Sequence, residues 1–234
     1  MIYELRLYSV TQGRMADVLS RFKDHLPPLF TRHGVNCVGA WTTLAGAGGP
    51  RFIYLMAYRD YAHREAVWAS FYADAEWTRV RTQTNAGHEM VERHDLLFLK
   101  PNAAWQMSGA QVEQAVAGLH EVEFVQIAPG QNAAVSDFIS ETYLPVLSDS
   151  GARTLGVFDV ASGAAMPQLI MFHTWQDPLA WRDGRLKAEK APGLRKAFES
   201  QRKKLGHPLF GRTDVNLLEP VSGFAIHPTL GRGR

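Results

Sequence analysis

The sequence predicts an α+β fold of two tandem βαββαβ domains packed sheet to sheet as an α/β barrel, and three observations predict it. First, Ile2-Tyr-Glu-Leu-Arg-Leu-Tyr8, closed by Gly13, is echoed by Leu119-His-Glu-Val-Glu-Phe-Val125, closed by Gly130. Second, the offset of 117 residues between them also pairs Val18 with Val135, Pro28 with Pro145, Gly34 with Gly151, Gly39 with Gly156 and Asp60 with Asp177. Third, the hydrophobic period within each copy switches between strand and helix in the order βαββαβ. Self-similarity at a fixed offset marks a duplicated folding unit. Such a unit carries helices on one face of its sheet, so two units can bury the faces left open.

The elements follow in order. Residues 2–8 alternate as a first strand. Met15, Val18, Leu19, Phe22, Leu26, Leu29 and Phe30 recur at spacings of three and four, the stripe of an amphipathic helix, which Gly34 ends. Residues 35–44 and 51–58 are rich in β-branched and aromatic side chains and flank the glycine-rich turn 45–50, which makes a hairpin. Asp60 caps a helix carrying Trp68, Phe71 and Tyr72, Asp74-Ala-Glu-Trp77 starts another helical piece, and residues 94–99 form a last strand ended by Pro101. The second copy repeats this order, with Asp177-Pro178 as its helix start. The chain thus divides into a domain at 1–101, a polar linker at 102–117 with a candidate short helix at 111–117, a domain at 118–220 and an aperiodic tail at 221–234.

Composition limits the function. With 46% hydrophobic and 21% charged residues among 234, the chain reads as an ordinary globular protein. No apolar run approaches the roughly 20 residues of a membrane helix, and the first strand carries Glu4 and Arg6 where a signal peptide would be apolar. A cytoplasmic protein with no membrane partner is expected. The single Cys37 reads as a buried structural thiol. Net charge is +2 with scattered lysines and arginines, so no nucleic-acid partner is expected. Dinucleotide, P-loop and nucleophile-elbow motifs are absent, so the reading includes no cofactor. Strand edges left open by two-sheet packing suggest a homo-oligomer.

Alternation along the first strand places Tyr3, Leu5 and Leu7 towards the helices and Glu4, Arg6 and Tyr8 between the sheets, where Glu121 and Glu123 join them. Arg6 is then expected to contact one of those two carboxylates. Phe52, Tyr54, Met56 and Tyr58 share one sheet face, assigned to sheet pairing.

Candidate site residues come mainly from the first copy. Pro27 and Pro28 should kink the first helix, and His25, on the stripe with Val18, Phe22 and Leu29, then faces a cavity beneath it as acid or base. The plainer reading of His25 is a core histidine bonded to a freed carbonyl. Trp41 and Tyr54 from the hairpin, with Trp68, Tyr72 and Trp77 from the following helices, would bind a small-molecule ligand. The second copy has Phe158, Met171 and Leu186 at the positions of Trp41, Tyr54 and Trp68, so the first copy should hold the better pocket. Glu4 and Arg6 form an alternative polar catalytic site. His173 replaces Met56 on its strand and is a further ligand-binding candidate, although a lone strand histidine is more often structural. His88, Glu89, Glu92 and His94 bunch together without a zinc-site spacing and read as a solvated turn, so no metal is expected.

Three pieces together resemble the NIPSNAP family, within the superfamily of dimeric α/β barrels. They are Tyr3-Glu-Leu-Arg6 followed by Tyr8 and Gly13, Ile53-Tyr-Leu-Met-Ala-Tyr58 running into Asp60 and Arg64, and Asp74-Ala-Glu-Trp77. The resemblance covers nearly all of the first half and most of the second, which departs by Glu123 in place of Arg6 and Lys190-Ala-Pro-Gly-Leu194 in place of the last piece. It implies ferredoxin-like domains paired through their sheets and a family whose activity is mostly unassigned, in a superfamily with cofactor-free monooxygenases, cyclases, isomerases and haem enzymes. The expected function is cofactor-free proton-transfer chemistry on a small apolar or aromatic metabolite. The alternative is a non-catalytic small-molecule-binding or protein-interaction module.

Overall fold

A computed structural model describes residues 1–107 and 118–221; the candidate helix at 111–117 and residues 222–234 of the tail lie outside the described residues. The first half contains β1 (Ile2–Val10), α1 (Met15–Ser20), a π-helical turn (Arg21–His25), α2 (Leu26–His33), β2 (Cys37–Ala45), β3 (Arg51–Tyr58), α3 (Tyr61–Tyr72), α4 (Ala75–Asn85) and β4 (Val91–Pro101). After α5 (Ala103–Met107) the same order returns as β5 (Leu119–Ile127), α6 (Asn132–Phe138), a second π-turn (Ile139–Tyr143), α7 (Leu144–Asp149), β6 (Arg153–Ser162), β7 (Gln168–Trp175), α8 (Pro178–Lys190), α9 (Pro192–Leu205) and β8 (Phe210–Pro220).

Local chemistry accounts for the boundaries. Asp60 and Asp177 accept hydrogen bonds from the backbone N–H groups of His63 and Ala180, and Asp74 accepts one from Glu76, so each caps its helix as expected. Gly34 ends α2 at φ 67°, and the Val35 N–H folds back onto the Phe30 carbonyl. The expected proline kink takes the form of a π-turn. Leu26 N–H reaches back five residues to the Arg21 carbonyl, and the prolines then open α2, where a missing N–H costs little. Leu144 bonds to Ile139 in the same way ahead of Pro145.

The eight strands among the described residues close into one antiparallel barrel in the order β1-β3-β2-β8-β5-β7-β6-β4. Each half contributes four neighbours, and two seams, β2 with β8 and β4 with β6, complete the ring. The open edges expected to support a homo-oligomer are therefore paired within the chain.

The sidedness of β1 is the reverse of the expectation. Tyr3, Leu5 and Leu7 point into the barrel, in one core with Val122, Phe158, Phe172 and Leu218, whereas Glu4, Arg6 and Tyr8 lie under the helices. Arg6 consequently makes no contact with Glu121 or Glu123. The reason is solvation: a closed barrel interior offers a charge neither water nor a helix-borne partner, and burying it unpaired is prohibitive. The helix side supplies Arg64 for Glu4. Phe52, Tyr54, Met56 and Tyr58 likewise face the helices, not the second sheet.

Trp41 points into the barrel as well, stacked on Phe172 at 5.2 Å with its Nε1–H donating to His120 Nδ1 at 3.0 Å. Its position explains Gly39: a Cβ there would sit 2.5 Å from the Trp41 ring, just as one at Gly156 would sit 2.7 Å from Phe158. Part of the expected linker is built into the fold. Asn102 is fully buried, caps α5 through its side-chain oxygen and donates to Ser136 and Asp159, while Trp105 packs into the second-half core.

Candidate functional site

Reversing β1 puts its polar face at the bottom of a cavity of about 240 Å³ between the first-half sheet and its helices. Arg6 and Tyr8 of β1 and Tyr54 of β3 form the floor, because Arg6 pairs with Tyr54 across the antiparallel ladder. Arg21, Phe22, Leu26 and Phe30 close one side from the π-turn and α2, and Trp68, Phe71, Tyr72, Trp77 and Arg81 close the other from α3 and α4. Glu89, Met90, Val91 and His94 line the end towards β4.

The floor is a hydrogen-bonded network. Glu4, fully buried, receives the Arg6 Nε–H and, at 2.6 Å, the Arg64 Nε–H. Arg6 Nη1 donates to the hydroxyls of Tyr8 at 3.1 Å and Tyr54 at 3.3 Å, and the Tyr54 hydroxyl donates to that of Tyr8. The guanidinium of Arg6 lies 4.0 Å from the centre of the Trp68 ring, a cation–π contact. Burial holds the Tyr54 pKa well above the usual phenol value, so it is a neutral donor.

The walls add charge. Arg21 is buried and, among the described residues, bonded only to neutral groups, Thr84, Asn85 and the Arg81 carbonyl. Its pKa falls to about 10, chiefly through burial and, against the offsetting charge of Glu89, the nearby Arg81 and Arg14; it remains a cation at neutral pH. Arg81 pairs with Glu89 at 2.6 Å. His94 stands at the rim with its ring edge-on to Tyr8, centroids 4.4 Å apart, and burial together with Arg6 lowers its pKa below the usual imidazole value.

The second half uses the equivalent space differently. Glu121 accepts from Trp175, Trp181 and Arg185, and Glu123 accepts from Tyr143 and Arg185 with His173 Nε2 3.2 Å away. The position of Arg21 holds Phe138, packed on Phe198 and Phe210. Arg185 thus pairs with both carboxylates, while His173 Nε2 has no hydrogen-bond partner among the described residues.

Residues 3–105 match the sequence profile of the NIPSNAP family. The first half is a NIPSNAP domain. Over 162 residues the chain is 25% identical to Protein NipSnap homolog 3B of Mus musculus, a match that takes in 69% of this chain and 62% of the mouse protein. An uncharacterized NIPSNAP domain protein from Burkholderia xenovorans is 27% identical over 44% of this chain and 96% of its own, with a TM-score of 0.39. A candidate monooxygenase from Lactobacillus acidophilus NCFM is 10% identical and superposes over 94% of both chains with a TM-score of 0.57, a likeness of fold. Among the described residues, no helix is long and apolar enough to cross a membrane.

Of the residues singled out in the sequence, Arg6, Tyr54, Trp68, Tyr72 and Trp77 meet in the cavity of the NIPSNAP half, and Glu4 lies behind Arg6. His25 is half-buried but is not among the lining side chains, since the π-turn advances the helical phase and Leu26 takes that face. Trp41 is on the other side of the sheet, and His173 belongs to the second-half network. Tyr8, Arg21 and His94 were not among the predicted site residues. Two signals mark them: Arg21 stands three residues after Val18 on the helical stripe, and His94 lies opposite Tyr8 in the β1–β4 register.

Proposed function

We propose that the cavity of the NIPSNAP half binds a small apolar or aromatic carbonyl compound and that the chain's own side chains move a proton on it. One observation carries this reading. An exposed rim imidazole, His94, whose pKa partial burial and Arg6 lower, lies against Tyr8, whose hydroxyl belongs to the donor cluster of Arg6 and Tyr54. A base beside preorganised donors is what enolisation requires. His94 takes a proton from a carbon next to the ligand's carbonyl, and the C–H electron pair moves through carbon onto the carbonyl oxygen. Arg6 and Tyr8 stabilise the resulting negative charge. The imidazolium returns the proton to another carbon of the enolate, so the balance is an isomerisation that consumes no oxidant or second substrate. Aromatic walls from Trp68, Phe71 and Trp77 select an apolar body.

One feature favours binding without turnover: among the described residues no carboxylate hydrogen-bonds to His94 to orient it. Incubating the protein with metabolite extract in D₂O separates the two readings. Proton transfer predicts deuterium uptake at carbon in one metabolite with the wild type and loss of that uptake in His94→Gln. Absence of uptake with both proteins leaves binding alone.

A further inference from the structure

The cavity walls present the guanidiniums of Arg6, Arg21 and Arg81 against the single carboxylate of Glu89. Arg81 and Glu89 neutralise each other, and Arg6 shares Glu4 with Arg64. Among the described residues, Arg21 is left with neutral hydrogen-bond partners only. Among the described residues, neither Nη2 of Arg6 nor Nη1 of Arg21 has a hydrogen-bond acceptor. A buried cation without a counter-ion is costly, and the fold elsewhere avoids it: the second half gives its Arg185 two glutamates and replaces Arg21 by Phe138. Retaining Arg21 beside Phe22, Leu26 and Phe30 on that wall is explained if a ligand supplies the missing negative charge.

We infer that the ligand of this cavity is a monoanion, a carboxylate carried on an aromatic or alkyl body, and that Arg21 is its anchor. The π-turn sets Arg21 there, on the helix wall and apart from the sheet floor on which Arg6 stands. Nη1 of the guanidinium, the nitrogen that no protein acceptor among the described residues occupies, can donate to a carboxylate in a charge-assisted hydrogen bond, while the apolar body lies against Trp68, Trp77 and Phe22. This division leaves Arg6, Tyr8 and Tyr54 free for the reacting oxygen. The inference rests on the cavity being the functional site, and it narrows the ligand class to anions.

Phenylacetate and its neutral isostere phenylacetamide test it by isothermal titration and by quenching of tryptophan fluorescence. The wild-type protein should bind phenylacetate at least about ten-fold more tightly than the amide. Raised salt and Arg21→Met should remove that preference while leaving amide binding unchanged, and Arg21→Lys should keep part of it. Because Arg21 also ties the π-turn to α4, Arg21→Met is read only if it melts like the wild type; otherwise the wild-type comparison and Arg21→Lys decide. Equal binding of the two probes would overturn the anion inference alone. A preference that survives in a folded Arg21→Met, or that Arg21→Lys leaves at its full wild-type size, would overturn Arg21 as the anchor. Failure of both probes to bind saturably would overturn the cavity as a ligand site, and this inference with it. Anion preference without deuterium uptake from the extract sustains the inference and removes the proposed turnover.

Discussion

The guanidinium of Arg6 rests 4.0 Å from the centre of the Trp68 ring, a strand residue facing a helix residue, whereas the second half reverses the direction and sends Arg185 from its helix towards the strand carboxylates Glu121 and Glu123. Duplication has kept a guanidinium between sheet and helices in both halves while changing what it neutralises. In the first half, one glutamate serves two arginines. In the second, one arginine serves two glutamates.

Stability should follow that asymmetry. Arg185→Met strands two buried carboxylates and should cost about 3–5 kcal/mol. Arg6→Met leaves Glu4 paired with Arg64 and loses mainly the Trp68 contact and the tyrosine bonds, about 1–2 kcal/mol. Urea unfolding midpoints should therefore fall in the order wild type, Arg6→Met, Arg185→Met. A larger loss for Arg6→Met would contradict the pairing described.

Acid should weaken the same network. Burial would raise the Glu123 pKa, but His173, 3.2 Å away, and the charge of Arg185 outweigh it and hold the value at about 2. The folded value thus lies below the unfolded value of about 4.3. Ionised Glu123 therefore stabilises the fold in full above roughly pH 5, and its contribution fades as pH falls from there towards 2. Glu123→Gln should start less stable at neutral pH and lose less between pH 5 and pH 2 than the wild type. Parallel acid-unfolding curves for the two proteins would show that Glu123 carries no such linkage.

Much of the fold was legible because its signals are local. Caps at Asp60, Asp74 and Asp177, the stop at Gly34 and the repeat itself are written in neighbouring residues or fixed offsets. Sidedness was not legible, since β1 is buried on both faces and alternation then gives a period without saying which side is which. Trp41 was misplaced for that reason. His25 was misplaced by the π-turn, which breaks the 3.6-residue count that put it on the stripe. His94 depends on a strand register spanning 86 positions, from Tyr8, that no local pattern reveals.

Glycine at position 39 should be required by the barrel interior. Gly39→Ala places a methyl against a Trp41 ring that is stacked on Phe172 and bonded to His120, so the ring has little room to move. Overpacking of this kind costs about 1–3 kcal/mol. Thermal unfolding of the variant should show the loss, and an unchanged melting temperature would mean that the Trp41 ring has another place to go.

Turnover, if His94 is its base, should have a characteristic acid limb. Burial and the charge of Arg6 favour neutral imidazole, so the rate should hold at neutral pH and decline only below the ordinary imidazole value of about 6.5. Arg6→Gln should move that limb towards higher pH by removing a nearby positive charge. A limb that begins above pH 7 in the wild type, or that ignores Arg6, would assign the base elsewhere.

The most direct test of the central claim, that the first-half cavity is where a small molecule binds, is to fill it. Val91 is partly buried in the cavity wall on β4, so Val91→Trp occupies the space from a strand that pairs with β1 at this position. Wild-type and variant protein, matched for melting temperature, are equilibrated with metabolite extract, separated from free solutes and compared by mass spectrometry of what each retains. The account predicts one or a few small apolar anions retained by the wild type and lost from Val91→Trp. The same compounds retained equally by both proteins would place the binding site elsewhere.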